Sequence, residues 1–245
     1  MKKLKMKTIY TFLLLTILTQ TFGQTLNDCS TCSTQIITEE QIKNLSIDEI
    51  RLLTNDLFAR NGYVFTNSKF QNYFTDKNWY KPIKNNSFIK FNDTEKKNIQ
   101  LFKTKTKILE IQRKAIIAQL KLFKSYVLQN NNSNLQKAFN YKPEDKYDTD
   151  YLLSVMKKID LDDINWFKNV GIHKILIDNG FVIIEYSITI ENEKISILYN
   201  FMNNSEIIKE LDIYTDYQSE GEHMYNWQFE YKNNKINFVR LAVAG

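Results

Sequence analysis

Cys29 and Cys32 are the two cysteines of this 245-residue chain, and they stand as C-x-x-C in Asp28-Cys-Ser-Thr-Cys-Ser. Three chemistries use that spacing. A local disulfide leads, because the chain opens on an export pattern and exported proteins meet an oxidising compartment. A thioredoxin-type redox site needs its first cysteine at a helix N-terminus after a strand, where the thiolate is stabilised; nothing strand-like precedes Cys29. Zinc needs a second ligand pair, and the two histidines, His173 and His223, stand far apart without a partner motif. His173 lies in a strand-like run, Gly171-Ile-His-Lys-Ile, and His223 in a polar turn with Glu220 and Glu222, neither beside a nucleophile motif. Asp160-x-Asp162-Asp163 begins like a calcium loop, yet no Gly follows at the sixth position and no Glu at the twelfth. Six Gly leave little material for a phosphate loop. No complete catalytic, cofactor or metal constellation emerges, so a non-catalytic protein without cofactor is expected.

The elements around these residues begin with an export segment. Lys2, Lys3, Lys5 and Lys7 precede the apolar run Ile9 to Leu18, and Thr21-Phe22-Gly23 offers a small residue for cleavage, the three-part pattern of a signal peptide. The apolar run is too short for a span of about 20 residues, so a signal peptide over 1–23 and a mature chain without a transmembrane helix are expected. Loss of those four lysines lowers the formal charge from +5 to +1. What remains is uneven, +8 over residues 24–141 and −7 over 142–245. That asymmetry fits two halves that attract, a basic module facing an anionic envelope, or two solvated domains of drifting composition. Export and a mature charge near zero argue against nucleic acid as a partner. The length, at roughly 150 residues per domain, suggests two domains, divided as a linker with the C-x-x-C over 24–41, a module over 42–107 and a second domain over 108–245.

The module opens on Ser46-Ile-Asp-Glu49, an S-x-x-E capping box. Ile47, Ile50, Leu53, Leu57 and Phe58 recur at three- and four-residue steps behind it, which predicts a helix with one buried stripe. Gly62 stands where a left-handed C-terminal cap is wanted. Ten aromatics follow between residues 58 and 91, and large rings compensate for the modest burial of a small domain. Most are expected in the core. Trp79 and Tyr80 are the candidates for an exposed surface that stacks on a sugar or a partner, and Arg60, at the last turn of the helix, either complements its dipole or joins that surface. The run from Ile50 through Phe58-Ala-Arg-Asn-Gly62 to Tyr63-Val-Phe65, then Phe70, Tyr73-Phe74 and Trp79-Tyr-Lys-Pro82, closely resembles the YARHG domain of exported bacterial proteins over about residues 42–105. Ala59, Arg60 and Gly62 match the signature letters; Phe58 replaces Tyr and Asn61 replaces His. The resemblance implies a domain and an extracytoplasmic setting, periplasmic or secreted, and no established activity.

Beyond Asn92-Asp-Thr-Glu95 a helical pattern runs to Leu128, read as two helices meeting near residue 107 or one continuous helix. Shorter helical patterns cover Asn134–Phe139 and Thr149–Ile159. From residue 171 the period becomes two: Ile184, Tyr186, Ile188 and Ile190 alternate with polar residues, as do Ile195, Ile197, Tyr199, Phe201 and then Tyr225, Trp227, Phe229, Tyr231. With Asp178-Asn-Gly180 as a hairpin turn, this predicts five or six antiparallel strands against helices, and an α+β class for the whole chain. Helices followed by long strands are similar in architecture to the cone-shaped fold of the nuclear transport factor two superfamily. That resemblance implies a ligand pocket in 108–245, lined by Trp166, Tyr186, Tyr199 and Trp227, with an ordinary filled core as the alternative. The expected role is that of a cell-envelope or secreted binding protein whose partner is an envelope glycan or another envelope protein; the alternative is a small-molecule-binding protein or enzyme using the second-domain pocket.

Overall fold

Ser46 and Glu49 start the helix Ile47–Arg60 as their spacing requires. The Ser46 hydroxyl accepts the Glu49 N–H at 3.3 Å, and Glu49 Oε2 accepts the Ser46 N–H at 2.8 Å. This is seen in a computed structural model that describes residues 25–180, 182–203 and 221–245; the export segment 1–23 lies outside those residues. The chain divides into two compact units, 1–106 and 107–245.

In the first unit α1 (Glu39–Ile42), α2 (Ile47–Arg60) and α3 (Ser68–Thr75) precede a 3-10 turn at Asn86–Phe88 and the start of α4 (Asp93–Leu128). Ile47, Ile50, Leu53 and Leu57 of α2 are buried, as their spacing predicts, whereas Phe58 is only half-buried and Ala59 is buried outside the expected stripe. At its end Gly62 has φ +79°, its N–H donates to Ala59 O at 2.8 Å, and the Tyr63 N–H donates to Phe58 O at 3.1 Å. This crossed pair is the Schellman arrangement, which satisfies carbonyls that a helix end leaves bare. Glu95 and Asn92 form a second capping box at the start of α4 (2.8 and 2.9 Å).

Residues 25–42 are tied to the first unit. Cys29, Cys32, Ile37 and Ile42 are buried, and Asn98 of α4 ties the segment down: its Nδ2 donates to Cys32 O and Gln35 O, both at 2.8 Å, and its Oδ1 accepts the Ile37 N–H at 2.8 Å. Asn98 is itself fully buried, so three backbone groups that would lose water on burial are matched by one side chain.

α4 is one helix of 36 residues. Its polar stretch Lys103–Lys107 contains no Gly or Pro to break it, and lysine is a good helix former. The border between the units falls within it, at Thr106 and Lys107.

In the second unit, α4 contributes Ile116, Leu120, Phe123 and Val127 to the core, joined by α5 (Asn132–Phe139) and α6 (Lys146–Lys158). Among the described residues six antiparallel strands follow in sequence order: β1 (Asn165–Phe167), β2 (Val170–Asp178), β3 (Val182–Glu191), β4 (Lys194–Asn203), β5 (His223–Lys232) and β6 (Lys235–Ala244). The fold is α+β. Tyr186, Ile188 and Ile190, then Ile195, Ile197 and Tyr199, then Trp227, Phe229 and Tyr231 alternate into the core. The period of two decides this, because successive side chains of a strand face opposite sides. Asn233 and Asn234 both have positive φ at the β5–β6 turn, as a two-residue hairpin loop of the primed type demands.

Candidate functional site

Asp56 and Arg60 stand one turn apart on α2, beside its core-facing stripe, and this places a carboxylate and a guanidinium together at the edge of the first unit. The Asp56 side chain is 8% exposed, and its Oδ2 accepts the Cys29 N–H. Arg60 Nε lies 3.3 Å from Asp56 Oδ1, an ion pair one helical turn apart. The other edge of the guanidinium has Nη2 3.9 Å from Asp28 Oδ2, and its plane lies over the indole of Trp79, 4.2 Å from the ring centre. The loop carrying Trp79 is placed by Gly62. Ile83 donates its N–H to Gly62 O at 2.9 Å, and a Cβ on Gly62 would come within 2.7 Å of Lys81 O and 2.8 Å of Ile83 Cγ2. Only glycine permits that approach at φ +79°.

These groups line a cavity of about 320 Å³ whose walls also include Asn27, Glu49, Tyr73 and Lys77. Lys77 Nζ sits 4.5 Å above the Tyr73 ring. Burial holds the Asp56 carboxyl above its usual range, outweighing the Cys29 N–H and the Arg60 charge. Hydrogen bonds from the side chain and backbone of Ser30 hold Asp28 below its usual range. The result is an open site with exposed aromatic surface, charged groups of both signs and one largely buried carboxyl.

Of the sequence candidates for this surface, Arg60 and Trp79 come together and Tyr80 does not join them. Tyr80 is a correction. It is buried, and its hydroxyl donates to Tyr63 O at 2.7 Å, because an amphipathic ring next to the buried Phe74 gains more from packing than from water. Cys29 and Cys32 stand at disulfide distance, with Cα atoms 4.9 Å apart, and both are buried. Asp28, Asp56, Tyr73 and Lys77 were not singled out by sequence. The Asp56-x-x-x-Arg60 spacing was the one available signal, since residues four apart on a helix are neighbours.

The signature letters have structural roles. Ala59 is fully buried against Phe74 and Tyr80, and Phe58 packs against Tyr63 and Phe91. Asn61 Nδ2 donates to Leu57 O at 3.0 Å and to Glu95 Oε1 at 2.9 Å. A histidine there could present an N–H donor likewise.

In the second unit Tyr186, Tyr199 and Trp227 belong to the packed core, which is the filled-core alternative. Tyr186 and Tyr199 meet edge to face at 5.6 Å. Trp227 is fully buried, and its Nε1 donates to Asp148 Oδ1 at 2.6 Å. Asp148 also accepts the Tyr141 hydroxyl at 2.6 Å and the Glu144 N–H at 2.8 Å, a buried carboxylate satisfied by three donors. Its charge and burial push the Tyr141 hydroxyl far up, burial being the larger cause. Trp166, partly buried, packs against the same core, over Gly171 and beneath the guanidinium of Arg113 at 4.2 Å. His173 lies in β2, with Nε2 3.8 Å from Asp163 Oδ2. His223 opens β5 rather than a turn, while Glu220 falls outside the described residues. Asp160 accepts the Asp162 N–H at 2.9 Å in a local turn. Among the described residues no cluster of three His, Cys, Asp or Glu could hold a metal ion, and no helix is long and apolar enough to cross a membrane.

No curated protein and no solved structure matches the chain, and the likeness of 108–245 to the nuclear transport factor two cone is not borne out. Residues 28–119 match the YARHG domain, a span that takes in the C-x-x-C segment as well as the signature helix and its W-Y-x-P end.

Proposed function

We propose that the chain is an exported protein, periplasmic or secreted, that binds a glycan of the cell envelope in the Trp79–Arg60 cavity without turning it over. The observation that carries this reading is the cavity itself, where exposed indole and phenol surface lies beside charged groups of both signs. Sugars are held by apolar C–H faces against rings and by polar groups that fix orientation. The export pattern of residues 1–23, the paired cysteines and the YARHG match support an extracytoplasmic setting.

The domain plan proposed with it is a signal peptide over 1–23, then a YARHG unit, then an α+β domain to the C-terminus. A pocket in that last domain, as a small-molecule or enzyme site, has the packing of Tyr186, Tyr199 and Trp227 against it. The test is retention of the purified protein on insoluble envelope glycan, with Trp79→Ala as control and thermal stability measured in parallel. Retention that falls with Trp79→Ala at preserved stability supports the reading. Retention unchanged by Trp79→Ala removes the cavity from the function.

A further inference from the structure

Helix α4 is apolar on two opposite faces where it runs through the second unit, and the core uses one of them. Ile116, Leu120, Phe123 and Val127 are buried in that core. Ile108, Ile111 and Leu122 lie on the other side of the helix, 53%, 56% and 43% exposed, with Ala118 exposed and Ala115 half-buried between them. The series 108, 111, 115, 118, 122 alternates steps of three and four residues, the a and d seam of a heptad pattern. Such a seam fits a second helix. A helix lying on a membrane surface presents a broader apolar arc, whereas here Lys107, Lys114 and Lys121 border the seam on one flank and Gln112 and Gln119 on the other. The two alanines at its middle let another helix axis come close and offer lipid little apolar surface.

Charge selects the kind of helix. Residues 107–124 carry Lys107, Arg113, Lys114, Lys121 and Lys124 against one acid, Glu110. Part of that charge is answered within the chain: Lys121 pairs with Asp162, Arg113 lies over Trp166 and donates to Lys168 O, and Lys124 donates to Ile159 O. Lys107 and Lys114 are exposed and have no ion-pair partner among the described residues; Glu110, one turn from each, is a single carboxylate for two ammonium groups. A second copy laid parallel would set these lysines against Gln112 and Gln119, and laid antiparallel would set lysine against lysine. Neither arrangement supplies a carboxylate.

We infer that this face of α4 docks an amphipathic helix of another protein, one with aliphatic a and d positions and carboxylates along its flank. Ile108, Ile111 and Leu122 bury its seam, and Lys107 and Lys114 pair with its acids and fix the register. The inference does not depend on the glycan reading.

The experiment titrates the purified full chain into two labelled synthetic peptides of three heptads each, with Ile at a and Leu at d, one carrying Glu and the other Lys at every e and g position, read by fluorescence anisotropy. The Glu peptide is expected to bind about tenfold or more tightly than its Lys twin, with the preference shrinking as salt is raised. Ile108→Gln with Ile111→Gln, at exposed positions whose loss spares the core, is expected to cost the Glu peptide about tenfold or more at unchanged Tm, and Lys114→Gln about threefold. Equal affinity for the two peptides, binding of neither, or binding indifferent to the paired Ile change would overturn the inference. So would a concentration-dependent dimer in sedimentation, or retention on phosphatidylglycerol vesicles, that is abolished by the same Ile pair, since either would give the seam to a different occupant.

Discussion

Arg60 and Trp79 form one stack, with the guanidinium carbon 4.2 Å from the centre of the indole. The last turn of α2 and the W-Y-x-P end of the module thereby make a single surface. Trp79 is 37% exposed, so its ring is available to a ligand while it holds the arginine. Trp79→Ala is expected to lower the stability of the first unit by about 1–2 kcal/mol through the lost cation–π contact and ring packing, leaving it folded. Urea unfolding followed by far-ultraviolet circular dichroism checks this, and outright unfolding of the unit would assign the ring to the core.

Gly62→Ala meets two obstacles at once, a left-handed φ and a Cβ within 2.7 Å of a backbone oxygen. Backbone strain of this kind costs on the order of 1–3 kcal/mol, and the contact with Lys81 adds to it. Calorimetry of the full chain should show the transition of the first unit at lower temperature and that of the second unmoved. An unmoved first transition would remove the tight approach of the Trp79 loop.

Asp56 confers an acid-side pH dependence whose sign follows from burial. Its carboxyl titrates higher in the folded protein than in the unfolded chain, so the folded state holds this proton more firmly. The resulting stabilisation is present below the unfolded value and is lost as pH rises through the folded one. Relative to Asp56→Asn, the wild type should therefore gain stability on acidification from pH 7 toward pH 4, read as a growing difference in Tm. A difference that stays flat or shrinks would contradict the burial of this carboxyl.

Asp148 anchors the second unit through Trp227 and Tyr141, both bonded to the same oxygen. Asp148→Ala leaves a buried indole N–H and a buried hydroxyl without their acceptor, and hydrogen bonds to a charged group are worth about 1.5–3 kcal/mol each. The expected loss is about 3 kcal/mol or more, with a shift in Trp227 fluorescence. Asp148→Asn keeps one carbonyl oxygen for both donors and loses the acceptor of the Glu144 N–H, so its cost should be clearly smaller. Equal costs for the two variants would contradict the shared-oxygen geometry.

Cys29→Ala with Cys32→Ala removes a very short loop closure, worth about 2 kcal/mol in the chain-entropy account. Because Asp56 and Asn98 hold the same segment by hydrogen bonds to Cys29 and Cys32 backbone, the first unit should remain folded at lower Tm. Alkylation of the native protein without reductant should label neither cysteine, and labelling of both would contradict the pairing.

The sequence by itself determined the features governed by short windows. The Ser46–Glu49 box, the α2 stripe, the cap at Gly62 and the alternating strands from residue 182 onward each depend on groups a few residues apart, where helix and strand periods and local hydrogen bonds dictate conformation. Tertiary structure alone decided the rest. Asn98 meets Cys32 and Ile37 across more than sixty positions, Cys29 meets Asp56 across 27, and Trp227 meets Asp148 across 79. No periodicity encodes such pairs, because each follows from which surfaces the packed elements bring together. For the same reason Tyr80 and Trp79, adjacent and both amphipathic, take opposite fates. Tyr80 has a backbone acceptor waiting inside the packed module, and Trp79 has the Arg60 guanidinium waiting at its edge.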